Sequence, residues 1–559
     1  MAGRVQLATK GSQDAFFTDN PDYSHFLRSF RKHSNFAMFD VKHELHGKQD
    51  YESTLKCTIP INCGDLIKGV RLHIELSDLL HDGVYQKYNE SIGHAIIEYV
   101  DLIIGGQLIQ RVPRDWLQIY SEQYLTQTKQ NNLSKLIGKS PEESSGKTVS
   151  DASIDGYLDK ATTPQKFIVD IPFYFHNNIE LALPLCALKH QECEIEIKLS
   201  EKKDCLYKWV GITDNSGSPD NTTFTVTVDT TNGNKYAIDG NVQSTLTLVR
   251  GNTYNFSYPT GDGTHPFRLS TKPEGGRPPV IDSNSILGGL DLPSQGDGVT
   301  QSSETLLVYT VPDDAPDTIY YICKIHAGMG GMIKIIEPYF DPSKATINDV
   351  SLYTEMVQLN DPEKGKLEAV KTDYIITQLQ SASFQIPVSA QDGYDSMKFR
   401  MEFINPVKEL YFVIARKGED ITPFNYDHSS QIYPSSGSNK KYINYENLVT
   451  LEMELDREVI LDEQSGDVIN LRAVQSGIHH SRTQLFRRFY SYSFALEPER
   501  WYPTGQKNFS LIKDQHITLK LNNDTTYERE LRVYALSNNI LQFADGSARL
   551  LFNSGEIGN

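Results

Sequence analysis

Polar and apolar residues alternate with a period of two along much of the chain. In GVRLHIELS, Val70, Leu72, Ile74 and Leu76 share one face, with Arg71, His73 and Glu75 on the other. CEIEIKLS repeats the pattern with Ile195, Ile197 and Leu199, and HITLKLN with Ile517, Leu519 and Leu521. Such alternation predicts half-buried strands of antiparallel sheets. Helical spacing is scarce: PRDWLQIYSEQYL sets Trp116, Tyr120 and Tyr124 four apart, and one or two turns fit after Pro362. Many short strands with turn residues between them predict an all-β chain of sandwiches or barrels.

One stretch changes character. From Val210 to Glu337 the chain turns rich in Thr, Gly, Asn, Asp, Ser and Pro, opening with the polar TDNSGSPDN and a new alternating strand, TFTVTVDT, and closing at IEPYFDPSK. Strand-rich sequence on either side makes this an inserted domain between two linkers. The division expected is an N-terminal arm over 1–34, a first sandwich over 35–209 plus 338–360, the insert over 210–337, and a second sandwich over 361–559. The arm has weak periodicity and is expected to order only against neighbouring molecules.

Composition narrows the possibilities. A chain of 559 residues has room for about three domains. The net charge of −18 argues against a surface built to grip nucleic acid, which needs clustered Lys and Arg. No secretory leader opens the chain, and the most apolar short run, LALPLCALKH, is too short to span a bilayer. Six cysteines, Cys57, Cys63, Cys186, Cys193, Cys205 and Cys323, are sparse for this length and suit a reducing compartment better than a disulfide scaffold.

Outside the insert no catalytic constellation emerges: there is no Walker loop, zinc-protease helix or nucleophile elbow. The doublet His479–His480 has no Cys or carboxylate at ligand spacing and reads as an exposed loop. Pro503, Gly505 and Asn508 read as turn formers, and Tyr490, Tyr492 and Phe494 as the inward side of a strand.

Five segments resemble a known family. GSQDAFFTDNPDYSHFLRSFRKHSNFAMF (Gly11–Phe39), GHAIIEYVDLIIGGQLIQRVPRDWLQI (Gly93–Ile119), PFYFHNNIELALPLCALKHQECEIEI (Pro172–Ile197), FINPVKELYFVI (Phe403–Ile414) and YSYSFALEPERWYPTGQKNFS (Tyr490–Ser510) are similar, in order, to the major capsid proteins of large nucleocytoplasmic DNA viruses. The junction near Glu363–Lys364 is a looser match, since relatives tend to place an acidic–arginine pair there. The resemblance implies two tandem jelly-roll β-sandwiches and a homotrimeric, pseudo-hexagonal capsomer that tiles an icosahedral shell. Neighbouring capsomers, penton and minor capsid proteins would be its partners. It also implies location in the virion after assembly in the host-cell cytoplasm, with no enzymatic role, no required cofactor and no direct contact with nucleic acid.

The insert carries different chemistry. YTVPDDAPDTIYYICKIHAGMGGMIKI resembles the last two strands of cupredoxins, so the insert is expected to be a cupredoxin-like β-sandwich. A blue-copper centre takes a thiolate, two imidazoles and a weak axial thioether. Cys323, His326 and Met329 offer three of these from one loop, His265 offers the second imidazole from upstream, and Met332 is a second axial candidate. Pro266 stands where many cupredoxins have an Asn that ties the two ligand loops, which removes an orienting contact. A copper-dependent oxidoreductase and a carbohydrate-binding adhesin are the competing readings. The capsid reading makes the insert an outward-facing decoration that meets a host-surface receptor or steadies the shell, with sequons at Asn221 and Asn255 available for glycans.

Overall fold

The computed structural model describes residues 11–13, 33–139 except 82–83, 164–212 except 177, 223–258 except 251, 265–273, 286–289, 299–336 except 303–304 and 313, 342–389, 394–418, 423–426 except 425, 432–433, 441–442, and 446–552 except 483–487 and 525–526. Most of the arm expected over 1–34, the linkers that flank the insert and the sequon at Asn221 lie outside these residues.

A five-stranded and a four-stranded sheet make the first sandwich, the fifth strand of the larger being the short Leu183–Pro184, which pairs with Leu66–Leu76. One runs Phe36–His43, Ile347–Leu359, Leu66–Leu76, Gln165–Ile171; the other runs Thr54–Ile59, Cys193–Leu199, Ile97–Ile104, Gln107–Pro113. All these pairings are antiparallel. The alternation read from sequence becomes burial: Val70, Leu72, Ile74 and Leu76 point inward to meet Ile195, Ile197 and Leu199 in one core. The second sandwich repeats the plan, with Thr372–Ile386, Arg529–Ala544, Pro406–Arg416 and Phe489–Ser493 facing Tyr394–Arg400, Gln515–Asn522, Leu448–Leu455 and Glu458–Leu461.

A third, separate core belongs to the insert. A six-stranded sheet centred on Thr223–Asp229 and Thr253–Ser257 faces a five-stranded sheet in which Thr318–Cys323 lies between Gly331–Ile336 and Phe267–Ser270. Unlike its neighbours it is mixed, since Thr223–Asp229 runs parallel to Thr253–Ser257 and Leu246–Val249 runs parallel to Gly331–Ile336. The strand leading into it, Leu206–Ile212, crosses the boundary drawn at 209 and pairs with Val84–Tyr88. The chain returns from it into Ile347–Leu359, a central strand of the first sandwich.

The two large sandwiches share a seam. Pro406–Arg416 is buried along nearly its whole length. Its Leu410, Phe412 and Ile414 enter the second core, while Tyr411, Val413 and Ala415 turn the other way into the core of the first sandwich. Helix Arg114–Gln123 lines this seam with Trp116, 5.4 Å from the Tyr411 ring. The helix expected after Pro362 forms at Asp361–Ala369, its start capped by the Asn360 side chain on the Glu363 N–H. Helix Gln127–Ile137 and the π-helical turn Asn470–Val474, which runs on into Gln475–His479, were not apparent in the hydrophobic spacing.

Candidate functional site

Four side chains of the insert were singled out for metal binding. Cys323 ends the strand Thr318–Cys323 and is fully buried; His326 follows in the exposed loop, and His265 stands just before Phe267–Ser270, the neighbouring strand. That pairing sets Phe267 opposite Cys323 and so brings the two histidines together. Their rings lie 4.7 Å apart, and the ligand atoms of His265, Cys323 and His326 fall within 4.8 Å of one another. Cys323 Sγ is 3.8 Å from His326 Nδ1. A trigonal ion with bonds of about 2.3 Å to sulfur and about 2.0 Å to nitrogen needs a sulfur–nitrogen separation of about 3.7 Å, so the set is close to the size an ion requires.

The surroundings aim donors at the sulfur and orient one imidazole. The N–H groups of Ile325 and His326 point at Cys323 Sγ from 3.4 and 3.5 Å. His265 Nε2 meets the Asn234 side-chain amide at 3.1 Å, and its carbonyl accepts from the Tyr236 hydroxyl at 2.7 Å. Its Nδ1 is buried without a partner, an orphan atom that a cation would satisfy. Burial, and then the neighbouring His326, lower the pKa of His265 and keep it in the neutral form that binds metals. Met329 is buried in the same apolar cluster as Cys323.

Three expectations need correction. Met332 is 41% exposed and sits opposite buried Ile333 on the strand, so it points to solvent and cannot be the axial ligand. Pro266 does not leave the two loops untied, because its carbonyl accepts from the Lys324 N–H at 3.0 Å; main chain replaces the missing side chain. Asn255 sits within a central strand, half-buried with its amide on Thr223 Oγ1 at 3.3 Å, rather than on a protruding loop suited to a glycan.

The histidine doublet is a further correction. His480 is buried, with Nε2 2.8 Å from Glu409 Oε1 and Nδ1 3.2 Å from Glu499 Oε1. Burial opposes its charge, yet the two carboxylates prevail and raise its pKa to about 9. Glu409 also accepts from the Tyr411 hydroxyl at 2.7 Å, and Tyr411 in turn meets Tyr124 of the first sandwich at 3.2 Å. The carboxylates come from positions 71 and 19 residues away, which a search at ligand spacing misses. Of the turn formers and strand faces read from the last motif, Gly505 and Asn508 sit in turns, and Tyr490 and Tyr492 lie on the strand Phe489–Ser493 with Phe494 just beyond its end. Gly505 takes φ +141°, Asn508 caps a 3-10 turn through the Ser510 N–H, and Tyr490 is buried with Tyr492 and Phe494 packed against its cluster.

Similarity to known proteins covers both large sandwiches. Residues 24–248 match a family model described as the major capsid protein N-terminus, and residues 363–549 match one described as the large eukaryotic DNA virus major capsid protein. The major capsid protein of Phaeocystis pouchetii virus is 24% identical over 99% of both chains, and that of Chrysochromulina ericina virus 23% identical over 99% of this chain and 100% of its own. Capsid protein 1 of Acanthamoeba polyphaga mimivirus is 32% identical over 36% of this chain and 35% of its own. Among solved structures, VP54 of PBCV-1 superposes with a TM-score of 0.58 at 15% identity, over 95% of this chain and 100% of its own. The Faustovirus major capsid protein does so with a TM-score of 0.55 at 11% identity, over 97% and 96%.

Proposed function

Since the chain belongs to the major capsid proteins of large eukaryotic DNA viruses, a family of shell-building subunits, we propose that three copies close into a pseudo-hexagonal capsomer and that capsomers, joined by penton and minor proteins, tile the virion shell. The role is structural, and we assign it no reaction. The observation that carries this reading is the pairing of two family matches, one on each of two stacked antiparallel sandwiches, with relatives similar along their full length. The surface supports contacts between copies. The edge strand Phe36–His43 exposes Phe36, Met38 and Phe39 side by side, and the second sandwich exposes Ile469, Ile478, Leu496 and Leu511.

Purified protein should elute and scatter light as a particle of three 63.2 kDa chains. A monomer that persists at micromolar concentration overturns the capsomer reading. The insert, with its own core, is read as a decoration on the outer face. Replacing residues 213–341 with a short linker should leave trimers intact; failure of the remainder to fold would make the insert part of the first sandwich.

A second reading concerns the insert alone and rests on the grouping of His265, Cys323 and His326. These residues, with buried Met329 as the axial candidate, would hold one copper ion. Bound copper would supply one-electron exchange. Titration of the whole protein should give one copper per chain with an intense visible thiolate band that Cys323→Ser abolishes. Absence of both uptake and colour overturns it.

A further inference from the structure

The seam between the large sandwiches holds a half-open cavity of about 290 Å³. Trp116, Tyr120, Tyr124 and Phe173 of the first sandwich wall one side, Leu379 and Leu536 of the second the other, and the segment from Pro498 to Trp501 lies across it. That segment belongs to the motif YSYSFALEPERWYPTGQKNFS, and Glu499 within it is held down by His480 and by the Ser481 N–H at 2.9 Å.

Polar side chains, Gln110, Glu499 and Arg500 among them, share this lining with the apolar ones, and so does one buried cation that lacks an ion-pair partner. Lys408 is only 5% exposed, and its Nζ makes two long hydrogen bonds, 3.4 Å to Thr377 Oγ1 and 3.3 Å to the Arg500 carbonyl. Among the described residues no carboxylate approaches it within ion-pair distance, in contrast to the buried Arg529 and the half-buried Arg416 and Arg532, each of which has a carboxylate partner. Burial pushes the Lys408 ammonium down to about 8. Buried cations are ordinarily paired, and a lysine left without a partner in an apolar wall is costly. Two polar atoms of residues that line the cavity, the Tyr174 hydroxyl and the Asn178 side-chain nitrogen, are buried with no hydrogen-bond partner at all. Aromatic and aliphatic walls with a few unsatisfied donors are how proteins receive small amphipathic ligands.

We propose that this cavity binds a small carboxylic acid with an apolar body, its carboxylate paired with Lys408 Nζ and its body lying between the aromatic wall of the first sandwich and Leu379 and Leu536 of the second. A space of about 290 Å³ suits a medium-chain or single-ring acid. Because the walls come from both sandwiches, the ligand stabilises the seam, independently of the insert.

Octanoate is a suitable probe, with octan-1-ol as its neutral counterpart, on the full-length protein. Octanoate should bind by calorimetry and raise the melting temperature in proportion to the logarithm of its concentration, while octan-1-ol should bind at least ten-fold more weakly. Lys408→Met, which exchanges an unpaired cation for an apolar side chain of similar length, should lose at least ten-fold in octanoate affinity. Trp501→Ala, at a partly exposed position of the covering segment, should weaken octanoate and octan-1-ol alike. Equal binding of acid and alcohol, or octanoate affinity unchanged in Lys408→Met, overturns the proposal. Should that variant fail to fold, the comparison of acid with alcohol on the unmodified protein decides alone.

Discussion

Asp115 Oδ2, on a helix of the first sandwich, accepts a 2.7 Å hydrogen bond from Arg532 Nη1, on a central strand of the second. The same carboxylate takes the Tyr534 hydroxyl at 2.7 Å and the Tyr426 hydroxyl at 2.6 Å. Burial by itself would raise the pKa of this carboxyl, but Arg532, Arg114 and the phenol donors hold it below the ordinary carboxylate value. Three residues of one sandwich therefore converge on a single charge of the other. This is a directional lock added to the non-directional apolar contacts of the seam.

Removing that charge strands its partners. Asp115→Ala leaves Arg532 without its carboxylate across the seam and two buried phenols without acceptors, which should cost about 3–5 kcal/mol. Urea unfolding at fixed protein concentration should show a lower midpoint, and probes in the two sandwiches should cease to report one transition. A shift under about 1 kcal/mol would mean the seam is held by apolar packing alone.

The His480 network makes stability depend on alkaline pH. The folded pKa, about 9, lies above the unfolded value near 6.5, so the contribution is complete below the unfolded value and is lost as pH rises through the folded one. Between pH 6.5 and 9.5 the melting temperature should fall, by the equivalent of on the order of 2 kcal/mol, and His480→Gln should flatten this part of the profile. An identical slope in both proteins would refute the assignment.

Gly330 closes the loop that carries Cys323 and His326. A Cβ there would lie 1.7 Å from the Tyr321 carbonyl oxygen, a main-chain atom that cannot give way. Gly330→Ala should destabilise the insert by several kcal/mol while the seam stays intact. Limited proteolysis should then cut within 223–336 first. Unchanged protection of that segment would show that the loop has room to move.

Burial separates the two methionines as copper ligands. Met329→Leu should keep one copper per chain and shift the visible band, because only a weak axial contact is lost. Met332→Leu, on the exposed face, should change neither stoichiometry nor spectrum. A spectral change confined to Met332→Leu would reverse the assignment.

Much of the architecture is legible in the residues themselves, for a local reason. A strand's pleat sends alternate side chains to opposite faces, so Val70, Leu72, Ile74 and Leu76 declare their inward side without knowledge of any partner. The change of composition near 210 and the order His265, Cys323, His326, Met329 are local in the same sense. What a strand packs against is not. VKELYFVIA reads only as an apolar run, and sheet order decides that Phe412 enters one core while Tyr411 enters another. Likewise, His480 and Lys408 are both polar residues in unremarkable surroundings along the chain. Stacking of the two sandwiches buries them both. Folding of the second sandwich gives His480 two carboxylates from other segments of that sandwich and leaves Lys408 with none, because separation in space bears no relation to separation in sequence.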